Sequence, residues 1–266
     1  MDYQKINTRV DGAIGVITLS DPSTLNAAGV DLAEELQKAF DAFAKPDSGV
    51  RCVVLTGEGR GFCSGANLSG RGAPAADQPA LGRDAGAALE AVYNPLMTSI
   101  RSYPMPIVTA VNGVAAGIGC SLALMGDLIV ASESAYFMQA FRRIGLVPDG
   151  GSTYMLPRFI GKARAMEMTL LGDRIPSKTA LDWGLINRCV PDDQLMATTM
   201  ELAKSLAEGP WSLGAIRKLI WDSLDADWAD QLRAERITQR DAGRTEDSQE
   251  GVLAFLQKRP AAFKGK

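Results

Sequence analysis

Histidine is absent from the 266 residues. That removes serine–histidine and cysteine–histidine nucleophilic pairs and histidine-ligated zinc together, so no metal site is expected. Any acid–base step falls to Asp, Glu, Lys, Tyr, Cys or water. Cysteine is scarce: Cys52, Cys63, Cys120 and Cys189 occur, with no pair at Cys-x-x-Cys spacing. Cys52 and Cys120 lie among apolar neighbours and read as buried thiols, so a reducing, cytoplasmic setting without disulfides is expected. A basic surplus is missing too. Lys and Arg number 28 against 31 Asp and Glu, and the resulting net charge of −3 offers no hold on a phosphate backbone. Nucleic acid is therefore not an expected partner. No apolar run approaches the roughly 18–20 residues of a membrane span, so no membrane partner is expected. The start, Met1-Asp2-Tyr3-Gln4-Lys5-Ile6, carries neither an apolar signal core nor an arginine-rich transit pattern.

What is present suits one large core with a helical appendage. Hydrophobic residues at 46% and charged residues at 22% match ordinary soluble domains. Ile14–Leu19 reads as a strand, Val30–Phe43 as an amphipathic helix, and 50–56 as a β-branched strand. This opening strand–helix–strand predicts a crossover unit. Segment 70–82 holds several Gly and Pro and little periodicity, and predicts a loop, a lid over a pocket. Residues 85–102 predict a helix, Ile107–Val111 a strand, 118–125 a short buried helix, and 128–131 a strand. After Pro157 the pattern turns helical over 162–171, 177–183, 193–208, 211–224, 227–243 and 248–258. Ser177, Asp193 and Ser248 are the expected N-caps, and Gly172 and Gly209 the expected stops.

Two glycine turns follow short apolar strands. The first is Gly61-Phe62-Cys63-Ser64-Gly65-Ala66-Asn67-Leu68, the second Asn112-Gly113-Val114-Ala115-Ala116-Gly117-Ile118-Gly119. Neither fits a nucleotide template. A dinucleotide fingerprint starting at Gly57 would need glycine where Phe62 stands, and one starting at Gly117 a small residue where Leu122 stands. Gly161-Lys162-Ala163 is no phosphate loop, and Gly-x-Ser-x-Gly is absent. Each turn alone is an ordinary strand-to-helix connection. As a pair they can aim two main-chain N–H groups at one oxygen, each worth roughly 3 kcal/mol of barrier. A third segment, Ala140-Phe141-Arg142-Arg143-Ile144-Gly145-Leu146-Val147-Pro148-Asp149-Gly150-Gly151, sets one acid between an apolar stretch and two glycines. Asp149 there is a turn residue or, facing a dry pocket, a base with a raised pKa.

With the two turns, Asp149 and the ending Glu250-Gly251-Val252-Leu253-Ala254-Phe255-Leu256-Gln257-Lys258-Arg259-Pro260, the chain resembles the crotonase, or enoyl-CoA hydratase/isomerase, superfamily. Tyr93-Asn94-Pro95-Leu96, Met138-Gln139-Ala140-Phe141 and the Asp149 segment resemble its phenylacetate-pathway isomerases. The resemblance implies an α/β fold, a crotonase (ClpP-like) spiral of ββα units with a C-terminal helical trimerisation region. Residues 1–200 would form the spiral core with the acyl-CoA site, and 201–266 the helical region for trimerisation and coenzyme A contact. A homotrimer or dimer of trimers, an acyl-CoA thioester substrate, and no cofactor beyond the coenzyme A of that substrate are implied. Carried over by position, the oxyanion donors fall on the N–H groups of Ala66 and Ile118. Coenzyme A contacts fall on Leu25, Asn26, Ala27, Asn67, Leu68, Phe255 and Lys258, with Asn67 replacing the family's usual aspartate.

The departures speak to chemistry. Ser121 and Phe141 occupy the positions of the two glutamates that hold water in family hydratases, and neither can deprotonate water. Asp149 matches the catalytic aspartate of the ring-modifying isomerases and of the dehalogenase branch. That branch's histidine and tryptophan are missing. Three readings stay open: an isomerase with Asp149 as base and Phe141 as an apolar wall; a hydratase or lyase using another group such as Ser121 with water; and a non-catalytic acyl-CoA-binding subunit. Cys63 and Ser64 read as spacers, Glu133 as solvated, Arg142-Arg143 as a surface pair, and Trp211, Trp221 and Trp228 as packing residues.

Overall fold

A computed structural model describes residues 3–67 and 84–266. Leu68 and the whole of the expected lid, 70–82, lie outside the described residues. The chain begins as a hairpin, β1 (Ile6–Asp11) and β2 (Ile14–Leu19), turning at Gly12 with φ +59°. Helix α1 (Val30–Phe43) buries Leu32, Ala33, Leu36, Ala39, Phe40 and Phe43, a single stripe of 3.6-residue period. It returns the chain to β3 (Cys52–Gly57), parallel to β2, the expected crossover. Then follow β4 (Gly61–Cys63) and α2 (Asn94–Arg101), the latter entered through a wide turn over Leu89–Tyr93. Next come β5 (Ile107–Val111), β6 (Val114–Ala116), α3 (Ile118–Ala123), β7 (Leu128–Ser132) and β8 (Tyr136–Met138). Helix α4 (Ser152–Leu171) is broken at Gly161. The last β elements, β9 (Ile175–Pro176) and β10 (Arg188–Val190), flank α5 (Ser177–Asp182). Four helices finish the chain: α6 (Leu195–Ala207), α7 (Ser212–Ser223), α8 (Trp228–Ala242) and α9 (Glu246–Gln257).

The strands sort into two sheets, ordered β1-β2-β3-β5-β7-β10 and β4-β6-β8-β9. In β3–β4, β5–β6 and β7–β8 the first strand enters the large sheet and the second the small one. These repeated strand–strand–helix turns form the expected α/β spiral, with a helical C-terminal region. The inner strands of the large sheet, β2, β3, β5 and β7, are covered on both faces and are apolar along most of their length, whereas β1 at the edge is largely exposed. Val53, Leu55, Ile107 and Val111 face the main core with α1 and α2, while Cys52, Val54, Val108 and Ala110 face Leu195, Ala203 and Ala207 of α6. Helix α6 runs through residue 200 and packs on this sheet.

Three expected caps move. Ser177 is the first residue of α5, with Pro176 as cap. Asp193 lies in a one-turn helix ahead of α6. Ser248 is not the cap of α9; Thr245 is, its hydroxyl accepting from the Ser248 N–H at 3.0 Å. Gly172 does end α4, with φ +66°. Arg217 ties α7 to the end of α2. Its guanidinium donates to the carbonyls of Ile100, Arg101 and Tyr103 at 2.7–2.9 Å and to Asp127 at 2.7 Å, so the buried cation has a carboxylate partner and uses four of its five N–H donors.

Candidate active site

Strands β4 and β6 lie side by side and parallel, so their exits emerge together. The first exit turns at Gly65, φ +108°, where a Cβ would approach the Ala116 carbonyl oxygen to 3.1 Å. The second turns at Gly117, φ +54°, where a Cβ would lie 3.8 Å from Gly65 Cα. Ala66 and Ile118 follow these two turns. Ala28 forms a parallel bridge with Ala66, donating to the Gly65 carbonyl at 2.7 Å and accepting from the Asn67 N–H at 3.2 Å. In that pattern the N–H of Ala66 itself faces away from Ala28. Ile118 is the first residue of α3 and has no carbonyl one turn earlier to receive its N–H. Among the described residues neither amide donates to a main-chain carbonyl. Gly119 presses α3 onto β4, since a Cβ there would fall 2.3 Å from the Cys63 carbonyl oxygen.

Asp149 enters from the loop between the one-turn helix Ala140–Ile144 and α4. It is half-buried, and one of its carboxylate oxygens is sealed from solvent. The next residue, Gly150, has φ +58°, and a Cβ there would meet Ile118 Cδ1 at 2.4 Å and Ser121 Cβ at 2.8 Å. The Asp149 loop is thus seated on the first turn of α3. The Phe141 ring is buried and lies 3.6 Å from where a Gly117 Cβ would stand. Ser121 is fully buried, and its hydroxyl lies 2.9 Å from the main-chain oxygen of Asp149. Ala66, Ile118, Ser121, Phe141 and Asp149 therefore meet in one place, although 83 positions separate the first from the last. Behind Gly150 and Gly151 lies a cavity of ≈ 250 Å³, lined by Asn94, Met97, Thr98, Met125, Tyr154 and Met155 among others.

The loop carrying Leu25, Asn26 and Ala27 packs on the same exit. Leu25 and Asn26 both have positive φ, +56° and +58°. Asn26 is buried, accepts from the Asp21 N–H at 2.8 Å, and donates to the carbonyls of Glu58 and Gly61 at 3.0 and 2.7 Å. Its side chain holds the loop against the β3–β4 turn. Ser64 adds a bond to the Thr24 carbonyl at 2.8 Å, and Ala27 N–H donates to Thr24 Oγ1 at 3.1 Å. Cys63 is a buried spacer, as expected, and burial pushes its thiol up to about 11. Cys52 and Cys120 are pushed up to about 12 by the same cause.

Phe255 and Lys258 stand elsewhere, both exposed at the end of α9, with Phe255 at 82%. Among the described residues no hydrogen bond or ion pair links them to the Asp149 group. Arg142 and Arg143 are an exposed surface pair, as expected, and they also donate to the carbonyls of Leu170, Leu171 and Gly172 and close the end of α4. Trp221 packs as expected, with its indole N–H on Asp127 at 3.0 Å, but Trp211 and Trp228 are exposed. Their helical setting was legible; the face each presents depends on helix packing that local periodicity does not specify. Gln139 and Ser152 were missed as members of the buried group behind Asp149. A polar residue inside an otherwise apolar segment was the only available signal.

Residues 9–266 match the family model described as enoyl-CoA hydratase/isomerase. The sequence is 42% identical, over 98% of either chain, to the 1,2-epoxyphenylacetyl-CoA isomerase of Escherichia coli K12. It is 32% identical to the 2,3-dehydroadipyl-CoA hydratase of the same bacterium, over 94% of this chain and 95% of that one. The fold superposes on a crystal structure of enoyl-CoA hydratase subunit I from Geobacillus kaustophilus HTA426 with a TM-score of 0.90 and 35% identity, covering all of both chains.

Proposed function

The chain belongs to the enoyl-CoA hydratase/isomerase family, the crotonase family, and from that premise we propose that it is an acyl-CoA isomerase. The observation that carries this reading is one carboxylate, Asp149, beside two glycine turns, with Ser121 and Phe141 at the hydratase glutamate positions. Ser121 is buried with its hydroxyl on the Asp149 carbonyl, and Phe141 presents a ring. Neither supports water activation. One carboxylate suffices for isomerisation: it removes a proton α to the thioester and returns one at the γ carbon. The N–H groups of Ala66 and Ile118 hold the enolate oxygen between these steps, each contributing roughly 3 kcal/mol. The Phe141 ring helps exclude water from the enolate.

The substrate is a 3-enoyl-CoA or an aromatic-ring CoA ester such as epoxyphenylacetyl-CoA; the name of the 42%-identical relative supports the latter. Coenzyme A lies along Leu25, Asn26, Ala27, Asn67 and Leu68, and no other cofactor is needed. Phe255 and Lys258 reach it in a homotrimer or dimer of trimers, which also covers the exposed apolar residues of the last helices. Free thiols and the lack of a membrane-crossing helix among the described residues fit a cytoplasmic enzyme.

Asp149→Asn tests the chemistry. With a 3-enoyl-CoA and with epoxyphenylacetyl-CoA, its turnover is expected to fall by at least about 100-fold, the range of a lost general base. Equal turnover of variant and wild type removes Asp149 from the mechanism. Rapid hydration of crotonyl-CoA by the wild type would instead favour a hydratase.

A further inference from the structure

Three buried polar side chains behind the Asp149 loop take no part in the chemistry above. Ser121, Gln139 and Ser152 have no solvent exposure. Ser121 Oγ lies 2.9 Å from the main-chain oxygen of Asp149, and Ser152 Oγ lies 2.8 Å from the same oxygen. The two hydroxyl oxygens are 2.6 Å apart. Ser152 N–H also donates to the Asp149 carbonyl, at 3.1 Å, and Gln139 Nε2 donates to Ser152 Oγ at 3.1 Å.

The protons can be counted. Two hydroxyls carry two protons for three short oxygen contacts. One proton lies between the hydroxyls and the other points at the carbonyl. Either serine can be the one that faces the Asp149 carbonyl, at 2.8–2.9 Å; the other acceptor within reach of Ser121, the Gly117 carbonyl, is farther at 3.4 Å. The adjoining Gly150 is wedged against Ile118 and Ser121. The main chain of Asp149 is thus held at its own carbonyl and at the next Cα, from one side, by α3 and the start of α4.

We propose that Ser121 and Ser152, backed by Gln139, are positioning residues that fix the Asp149 carboxylate over the oxyanion pair. They touch no substrate; they act through the Asp149 main chain. Position 121 thereby serves the base of this chain instead of serving water. The inference rests on the reading of Asp149 as the base.

The test is a double-mutant comparison. Ser121→Ala and Ser152→Ala are made in the wild type and in Asp149→Asn. Turnover of a 3-enoyl-CoA is followed with α-hydrogen exchange in deuterated water, which reads slow variants. In the wild-type background each is expected to lower kcat by about 10- to 100-fold with KM within about twofold, since misplacing a catalytic group costs that much. In the Asp149→Asn background neither is expected to cost more than about twofold. Equal losses in both backgrounds, or wild-type kcat in both serine variants, overturn the proposal. Thermal melting identifies a variant that fails to fold, and the other serine then decides. Full turnover by Asp149→Asn overturns the base assignment and the positioning role with it; an inactive Asp149→Asn beside unimpaired serine variants overturns only the positioning.

Discussion

Gly145 and Gly150 share a positive φ, +70° and +58°, but differ in what surrounds them. No heavy atom lies within 4 Å of where a Cβ would stand on Gly145, whereas Gly150 would meet Ile118 and Ser121 below 3.0 Å. Gly145→Ala is expected to cost only backbone strain, about 1–2 kcal/mol, with kcat near wild type. Gly150→Ala adds overpacking of about 1–3 kcal/mol and pushes the Asp149 loop off α3. Its kcat should fall by about 100-fold, a loss that chemical denaturation and turnover measured together would separate from instability. A Gly150→Ala enzyme with full kcat would show that the loop does not need that seat. Residues of this kind were partly legible. Phe141 was singled out by the family resemblance alone, while Asp149 and the two turns stood out by type and spacing. The work done by Asn26 did not, because the carbonyls it holds belong to Glu58 and Gly61, more than 30 positions away. Its place in the loop was visible; its partners were a property of the folded chain.

Elements were legible where they were long enough to show a period. Helix α1 and strands β2, β5 and β7 follow directly from their apolar spacing. The short strands β4, β6, β8 and β9 have two or three residues each, too few for any period, and exist because the second sheet pairs them. Helix α4 begins at Ser152, ten residues before the expected start at 162, because Pro157 reads locally as a breaker and the real interruption is at Gly161, φ +76°. Helix α9 carries a feature without local signature. Asp247, in its first turn, accepts from the N–H groups of Trp211, Lys264, Gly265 and Lys266 at 2.6–3.2 Å, tying the tail to the start of α7. Burial pushes this carboxyl up, but those four amides outweigh it, and its pKa lies below the usual range. A depressed folded value means the stabilisation is present above the unfolded pKa of about 3.9 and is lost as pH falls through the folded one. Asp247→Asn should therefore lower the unfolding free energy by about 2–4 kcal/mol at pH 7. The gap between variant and wild-type urea midpoints should close as pH drops below about 3.9. A gap that does not narrow at all as pH falls below about 3.9 would mean that the contacts, and not the charge, hold the tail.

Helix α8 poses the question that belongs to the whole molecule. Not one of its 15 residues is buried, and its apolar side chains include Trp228, 78% exposed, and Leu232 one turn on. A helix of this length is marginal in water without an apolar face to bury. Asp227 caps it, accepting from the Asp230 N–H at 2.9 Å, but a cap contributes only about 1 kcal/mol. Exposed apolar residues continue on α7 with Ile216 and Ile220 and on α9 with Phe255 and Leu256. Three consecutive helices presenting uncovered apolar side chains exceed what monomeric surfaces usually tolerate. The proposed homotrimer or dimer of trimers supplies the missing cover. Light scattering coupled to size exclusion should then give three or six chain masses for the wild type. Trp228→Glu with Leu232→Glu, a charged pair on one helical stripe, should release smaller species and speed hydrogen exchange of the α8 amides by at least about tenfold, since local opening of a helix without tertiary cover approaches zero cost. A wild-type monomer whose α8 amides remain protected would place the stabilisation of that helix within the single chain, and the oligomer would lose its physical motive.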